Sequence, residues 1–247
     1  MMNIFASSSS FLMANADVDF MIHGLIKYHL FGQELWITTT HVSLLLVLIA
    51  IIIFAITVNR KIKKVNLEDT PGTLQNIAEL AVEKLDNMVG TVMGIRGKKF
   101  ANYIGTIFIL ILSCNLSGLV GLRPATADYG VTLGLASITF IIIQYTNITE
   151  NKIGAFTGLF KPLPFLFPIN LIGEIAVPIS MSLRLFGNIL SGTVMMALIY
   201  GLLPIFVKIG FPAALHVYFD VFAGAIQTYV FCMLTMVFVT DKMATEE

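Results

Sequence analysis

The sequence predicts an all-α membrane protein that crosses the bilayer several times. Only 12% of its residues are charged and 57% are apolar, whereas about a quarter of the residues of a soluble domain carry a charge. Apolar runs long enough to cross about 30 Å of hydrocarbon recur along the chain. The fifteen basic and fifteen acidic side chains balance, so the composition gives no attraction to nucleic acid.

Five predicted spans and one amphipathic helix divide the chain into successive parts. We assign an outer N-terminal segment to residues 1–41, the first span to 42–58, an inner basic loop with the amphipathic helix to 59–99, two further spans to 100–161, and a helical hairpin to 162–247. The first helix of this hairpin would be about 54 Å long, which exceeds the hydrocarbon thickness. We therefore expect it to be steeply tilted or bent.

The amphipathic helix is predicted to begin at Thr70-Pro71. Threonine is a suitable N-cap and proline a suitable first helical residue. Apolar side chains then recur at steps of three and four, while acidic and amide side chains take the opposite side. This helix is too polar to span, so we expect it to lie along the inner membrane face. Packing against a soluble partner is the alternative.

Basic residues predict the orientation of the chain. Four of them, between Arg60 and Lys64, follow the first span directly and indicate that this end is cytoplasmic. Eleven of the fifteen Lys and Arg then fall on the inner side, and three fall outside: Lys27, Arg123 and Lys208. The N-terminus is therefore predicted to lie outside and the C-terminus in the cytoplasm. The fifteenth basic residue, Arg184, lies within a membrane segment.

Arg184 is the residue that indicates a function. An arginine inside hydrocarbon costs about 2.5–3.5 kcal/mol on insertion scales, and it cannot become neutral by losing a proton. A permanent charge at this depth therefore needs partners, water or a task. A salt bridge that holds two helices together is the structural alternative.

Small and polar side chains accompany Arg184 along one side of its predicted helix. Steps of three or four residues connect Gly173, Ala176, Ser180, Arg184, Gly187 and Ser191. Such a stripe normally allows close packing of helices in membranes, and by itself it would favour packing over function. Because this stripe carries a cation, we expect another helix to dock or slide close to the charge.

Two acidic residues, Glu174 and Asp220, also lie in apolar segments. Glu174 precedes Arg184 by about 15 Å along a helix axis. Asp220 shares a predicted stripe of the final helix with His216, Gly224 and Gln227. Acids within a membrane usually mark ion or proton pathways. The alternatives are a salt bridge from Asp220 to Arg184, an interhelical hydrogen bond by Gln227, and an interfacial position for His216.

Three blocks towards the C-terminus carry a family resemblance. They are Pro178–Ile189 (PISMSLRLFGNI), Ala225–Phe231 (AIQTYVF) and Pro168–Glu174 (PINLIGE). The first is similar to the signature of subunit a of the rotary F-type ATP synthases. The second is similar to a second block of that family, and the third resembles the segment that leads into its arginine helix. A pattern of this length around a charged intramembrane residue is more specific than a short motif.

The resemblance implies an ion-translocating stator that provides two offset half-channels for H⁺ or Na⁺ to and from a rotating ring of c subunits. Arg184 matches the arginine that faces the ring carboxylates. Asn188 and Gln227 match polar positions near that arginine. Glu174 matches an acid of the inner half-channel, and Asp220 falls where relatives carry His or Glu in the outer one.

Thr193 departs from the family pattern, because many relatives have an acid there. This departure leaves Asp220 as the main outer carboxylate. The resemblance also implies a strongly tilted hairpin of the last two helices, and as partners the b-subunit stalk and the other synthase subunits. It implies a bacterial plasma membrane as the location. The chain has no phosphate-binding glycine loop and no nucleophile constellation, so we expect no catalysis, cofactor or metal site of its own.

Two other functions are compatible with parts of the sequence. The chain could be a stand-alone secondary transporter in which Arg184 binds an anionic substrate, although the internal repeat of such transporters is missing from the sequence. It could also be a structural scaffold, but a scaffold would not need Arg184, Glu174 and Asp220 together.

Overall fold

The structure, a computed structural model, describes residues 24–30, 33–63, 72–152, 154, 157–160, 164–202 and 215–243. The predicted all-α membrane fold is confirmed, because five helices are long and apolar enough to cross a membrane. Residues 1–20, Thr70, Pro71 and the turn containing Lys208 lie outside the described residues.

A short β-hairpin precedes the first span. Strands β1 (Gly24–Leu30) and β2 (Gln33–Thr38) pair in antiparallel fashion. The apolar pattern placed this region only in the outer segment and predicted no strands in it. Strand β2 leads directly into the first helix, where the hydroxyl of Thr38 lies 2.7 Å from Nδ1 of His41. The hairpin is thereby joined to a long helix, whereas an isolated two-stranded hairpin is marginally stable.

Six α-helices make up most of the rest of the described chain. They are α1 (Thr39–Ile62), α2 (Thr73–Met93), α3 (Ala101–Leu116), α4 (Tyr129–Asn151), α5 (Phe167–Leu202) and α6 (Gly224–Lys242). Short 3₁₀ turns adjoin several of them, at Ile95–Phe100, Ser117–Val120, Ala125–Ala127, Gly158–Phe160 and Pro164–Leu166. A π-helix at Val217–Ala223 leads into α6.

Helix α2 is the predicted amphipathic helix, but it begins at Thr73 rather than at Pro71. Its N-cap is Gly72, a residue type that the N-cap position accepts nearly as well as threonine. Its last turns bury Val89 and Met93 in the core, while Ile77 is 60% exposed nearer its start. Helix α2 therefore packs on the bundle by one end and leaves apolar surface open at the other.

The core lies where α3, α4 and α6 meet. Its fully buried side chains include Ile104 and Ile111 of α3, Ala136 of α4, and Phe231 and Met236 of α6. Helix α5 adds only two buried side chains to this core, Met181 and Leu185. Most of α5 is therefore held at the edge of the bundle, mainly against α4.

Helix α5 has 36 residues, the length expected from the sequence, and it contains Pro178. Proline has no N–H group, so residue 178 cannot donate the helical hydrogen bond to the carbonyl of Glu174. Proline within a helix is also the commonest cause of a bend. The series of helical hydrogen bonds in α5 is thus interrupted between Glu174 and Arg184.

A buried amide fixes the contact between α3 and the start of α6. The side chain of Asn115 donates from Nδ2 to the carbonyl of Gly224 at 3.1 Å and accepts at Oδ1 from the hydroxyl of Thr126 at 2.8 Å. A Cβ atom added to Gly224 would lie 3.0 Å from Cβ of Asn115. The two helices therefore approach closely only because residue 224 has no side chain.

Ion pairs join α4 to the 3₁₀ turn that precedes α3. The carboxylate of Glu150 accepts from Arg96 at 2.8 Å and from Lys99 at 2.9 Å. Because Glu150 is near the end of α4, these contacts bring the start of α3 and the end of α4 to the same end of the bundle. The Asn115 contact lies at the opposite end.

Replacing Asn115 by alanine is expected to destabilise the fold by about 1–3 kcal/mol, because the buried Thr126 hydroxyl loses its acceptor and the Gly224 carbonyl, which also accepts from Thr228, loses one of its donors. The measurement is the thermal unfolding midpoint of the full chain in detergent. Asn102→Ala is the matched control, because Asn102 is an exposed residue of the same helix. Equal midpoints for the two variants would contradict the role assigned to Asn115.

Candidate functional site

Arg184 lies on an exposed side of α5. Within the described residues its guanidinium group makes no hydrogen bond and no ion pair. The salt bridge to Asp220, considered as an alternative, is not formed. The carboxylate of Asp220 instead lies 2.7 Å from Nδ1 of His216, one turn earlier. Arg184 is thus a fixed positive charge that the described part of the chain does not pair.

The stripe around Arg184 is not packed tightly against another described helix, although part of it borders a cleft with the final helix. Ser180 and Ser191 are exposed, and a Cβ atom added to Gly173 or Gly187 would meet no other atom within 4 Å. Small side chains permit a neighbouring helix to approach closely in a membrane. The stripe is therefore an open strip on the molecule with a cation at its centre.

A first cavity, of about 700 Å³, opens at the end of the bundle where α4 and α6 end. Its charged lining residues are Glu174, Asp241 and Lys242. The carboxylate of Glu174 lies 2.5 Å from Nζ of Lys242 and also accepts a hydrogen bond from the amide of Gln144. We call this space the Glu174 cavity.

A second cavity, of about 410 Å³, lies at the opposite end of the bundle. Helix α5 contributes Asn188 and Thr193 to its lining, and the segment before α6 contributes His216 and Asp220. Arg123, from the loop between α3 and α4, lines it as well. We call this space the Asp220 cavity.

Arg184 lies between the two cavities along α5. It borders a smaller cleft of about 220 Å³, which shares Gly173, Val177 and Phe238 with the lining of the Glu174 cavity. On its other side, Asn188 in the Asp220 cavity follows one helical turn later, about 6 Å along the axis. An ion that moved between the two cavities along α5 would therefore have to pass a fixed positive charge.

The π-helix changes the stripe predicted for the final helix. Asp220 lies within Val217–Ala223, where each turn holds more residues than an α-helical turn. The expected continuous stripe is therefore divided. His216 and Asp220 line the Asp220 cavity, whereas Gly224 and Gln227 are buried in the bundle. π-Helical turns are frequent at functional sites in other proteins.

Gln227 is 7% exposed, and its Nε2 has no hydrogen-bond partner among the described residues. The interhelical hydrogen bond considered for Gln227 is thus not formed in this part of the chain. A buried amide nitrogen without a partner is uncommon in native proteins.

Sequence reasoning missed three polar residues that hold the site together: Lys242, Gln144 and Asn115. Lys242 appeared only as the charge that ends the last span. Its partner Glu174 is 68 positions earlier, so local spacing could not connect them. Gln144 and Asn115 carried a weak signal, since each is an amide within an otherwise apolar run.

Comparison with known proteins gives the chain a family. Residues 40–240 match the family model described as "ATP synthase A chain". A protein of Propionigenium modestum named "ATP synthase subunit a, sodium ion specific" is 38% identical over 80% of this chain and 72% of its own length. "ATP synthase subunit a" of Moorella thermoacetica is 30% identical over 87% of this chain and 94% of its own. The subunit of the same name from Desulforamulus reducens is 35% identical over 85% of this chain and 78% of its own. With five helices capable of spanning a membrane among its described residues, the chain is a multi-pass membrane protein that belongs to the ATP synthase A chain family.

Proposed function

We propose that this chain is the ion-translocating stator subunit of a bacterial ATP synthase. In this role it carries H⁺ or Na⁺ to and from a rotating ring of c subunits through two separate access paths. One observation carries the proposal: Arg184 lies on an open strip between two cavities at opposite ends of the bundle. A stand-alone transporter is not favoured, since the relatives are subunits of a complex.

Arg184 acts on the ring through electrostatics. A ring carboxylate that carries its ion is neutral and can face lipid, whereas an empty one is charged. Opposite charge nearby favours the ionised form, so a site that approaches Arg184 releases its ion. The same guanidinium repels a free cation and prevents it from passing directly from one cavity to the other. Each charge that crosses 100 mV releases about 2.3 kcal/mol, which drives the rotation.

The two cavities are assigned to opposite sides of the membrane. Arg60 and Lys61 in the last turn of α1 support a cytoplasmic position for that end of α1. Arg96 and Lys99, which precede α3, support a cytoplasmic position for the bundle end where the Glu174 cavity opens. The Glu174 cavity is then the inner half-channel and the Asp220 cavity the outer one. The N-terminus lies outside, and α2 lies along the inner face.

The open stripe of α5 is the surface that we assign to the c-ring. Small side chains around Arg184 let a ring helix come within contact distance of the charge. Helix α5 and the final helix form a tilted hairpin against this ring. Further partners are the b-subunit stalk and the remaining subunits, in a bacterial plasma membrane. This chain has no catalytic role in ATP chemistry, which belongs to other subunits.

The transported ion can be identified on the whole complex. The relative from Propionigenium modestum carries "sodium ion specific" in its name, so Na⁺ is the first ion to test. Stimulation of ATP hydrolysis by Na⁺, together with protection of the complex by Na⁺ against a carboxylate-modifying reagent, would identify Na⁺. Hydrolysis that is indifferent to Na⁺ and coupled to acidification would identify H⁺.

Arg184→Ala is expected to abolish ion-driven ATP synthesis in membrane vesicles while the complex still assembles, because the ring sites lose the charge that makes them release their ion. Synthesis rate and subunit composition are measured together. Arg60→Ala is the matched control, since Arg60 is an exposed arginine in the last turn of α1, outside both cavities. Normal synthesis by Arg184→Ala would rule out the proposed mechanism.

Asp220→Asn is expected to slow ion uptake through the outer cavity more than Thr193→Ala does. The carboxylate of Asp220 lies in the cavity beside His216, whereas the hydroxyl of Thr193 donates to the carbonyl of Leu190 in its own helix. The measurement is synthesis rate at increasing ion concentration on the outer side. Similar, negligible effects of both substitutions would remove Asp220 from the outer path.

A further inference from the structure

The Glu174–Lys242 ion pair has a role of its own within the proposed half-channel. The two side chains are far apart in sequence, yet they meet in the Glu174 cavity. Both are partly buried, with 20% of the Glu174 side chain and 24% of the Lys242 side chain exposed. The inference rests on the proposed function, because it concerns an ion that travels through this cavity.

Helix α4 holds both members of the pair in place. The amide of Gln144 donates to the Glu174 carboxylate. Asn151, one turn beyond Asn147, donates from Nδ2 to the backbone carbonyl of Lys242 at 2.9 Å and to Oδ1 of Asn147 at 3.0 Å. Three helices therefore converge on the pair. The backbone of Lys242 is held by Asn151, and its ammonium group is held at the Glu174 carboxylate by the ion pair.

The charged groups of the Glu174 cavity show how the ammonium group of Lys242 changes the attraction of the cavity for a cation. Among the described residues, its charged lining residues are Glu174, Asp241 and Lys242, and Arg184 borders the adjoining cleft. Without Lys242, Glu174 would be an uncompensated carboxylate in a partly desolvated space. A carboxylate of this kind attracts a passing cation more strongly than the same group in water does. An unpaired Glu174 would therefore retain an ion that has to leave through this cavity.

We propose that Lys242 is a charge-balancing residue of the inner half-channel. By occupying the Glu174 carboxylate, it keeps this cavity from trapping the transported cation on its way to or from the ring. Asp241, an exposed residue at the same end, retains one negative charge that draws cations toward the opening. Lys242 thus limits how tightly the inner path holds the ion, and it need not touch the ring.

The test uses the whole complex in inverted membrane vesicles, whose inner face is turned to the medium. ATP-driven uptake then loads the ion through the Glu174 cavity. The concentration of Na⁺ in the medium that gives half-maximal uptake is measured, or the medium pH for an H⁺-coupled enzyme. Lys242→Gln is expected to lower this half-saturating concentration by about tenfold, a modest effect for one unpaired charge at contact distance.

Two further variants distinguish a charge-balancing role of Lys242 from a structural one. Glu174→Gln should raise the half-saturating concentration, because it leaves the ammonium group of Lys242 uncompensated. The double variant Lys242→Gln/Glu174→Gln should return to the wild-type value, since the net charge of the cavity is restored. Lys242→Gln should also slow ATP synthesis, in which the ion leaves through this cavity, whereas uptake at low ion concentration should not be slowed.

Lys99→Gln is the matched control. Lys99 also pairs with a glutamate, Glu150, at 2.9 Å, but it does not line the Glu174 cavity. Its replacement should leave the half-saturating concentration unchanged.

A purely structural ion pair would behave differently. In that case both single variants would reduce uptake and synthesis in parallel, and the double variant would be as impaired as they are. Parallel losses in the two single variants, or a double variant that stays impaired, would overturn the proposal.

If Lys242→Gln lowers the amount of assembled complex, the half-saturating concentrations of Glu174→Gln and of the double variant decide instead. Loss of all transport in both of these variants would make Glu174 an obligatory carrier and also overturn it. Arg184→Ala tests the stator function independently, so the two failures can be told apart.

Discussion

The structure depends on the positive charge of Arg184, which cannot be neutralised by loss of a proton. An arginine in a membrane segment stays protonated, so its cost has to be met by its surroundings rather than by a change in its own state. In most proteins the surroundings would supply a carboxylate. Here Asp220, the carboxylate that the sequence offered as its partner, is engaged with His216 instead, and Arg184 is left on an open side of α5. The bundle is arranged around this charge without neutralising it.

The packing of the other helices makes that arrangement possible. Helices α3, α4 and α6 form a core that is complete without most of α5. The close contact of Asn115 with Gly224 holds the start of α6, and the Glu174–Lys242 pair joins its end to α5. Helix α5 is thus anchored at a few points and keeps one long side free. A rigid core with a free edge can present a charge to another molecule at a defined position.

Hydropathy and local motifs predicted much of this. Apolar runs predicted the five spans, because the need to fill about 30 Å of hydrocarbon leaves a strong signal in composition. The cost of an intramembrane arginine singled out Arg184, and the spacing of small residues predicted its open stripe. These features are readable because each depends on one helix alone.

Features that depend on two helices were not predictable in the same way. The pairing of Glu174 with Lys242 and the contact of Asn115 with Gly224 join residues that are distant in sequence, and a single sequence contains no measure of that proximity. The π-helix was missed because helical periodicity was assumed throughout the final span. One wider turn was enough to separate His216 and Asp220 from Gly224 and Gln227.

The missing hydrogen bond at Pro178 has a mechanical consequence. A long α-helix is stiff because every turn is tied to the next, and the absence of one tie makes it bend most easily there. Glu174 lies one turn before this point and Arg184 less than two turns after it. The two halves of α5 can therefore adopt different directions, and the helix can follow a convex surface such as the side of a cylinder. A straight rod of the same length would touch such a surface at only one place.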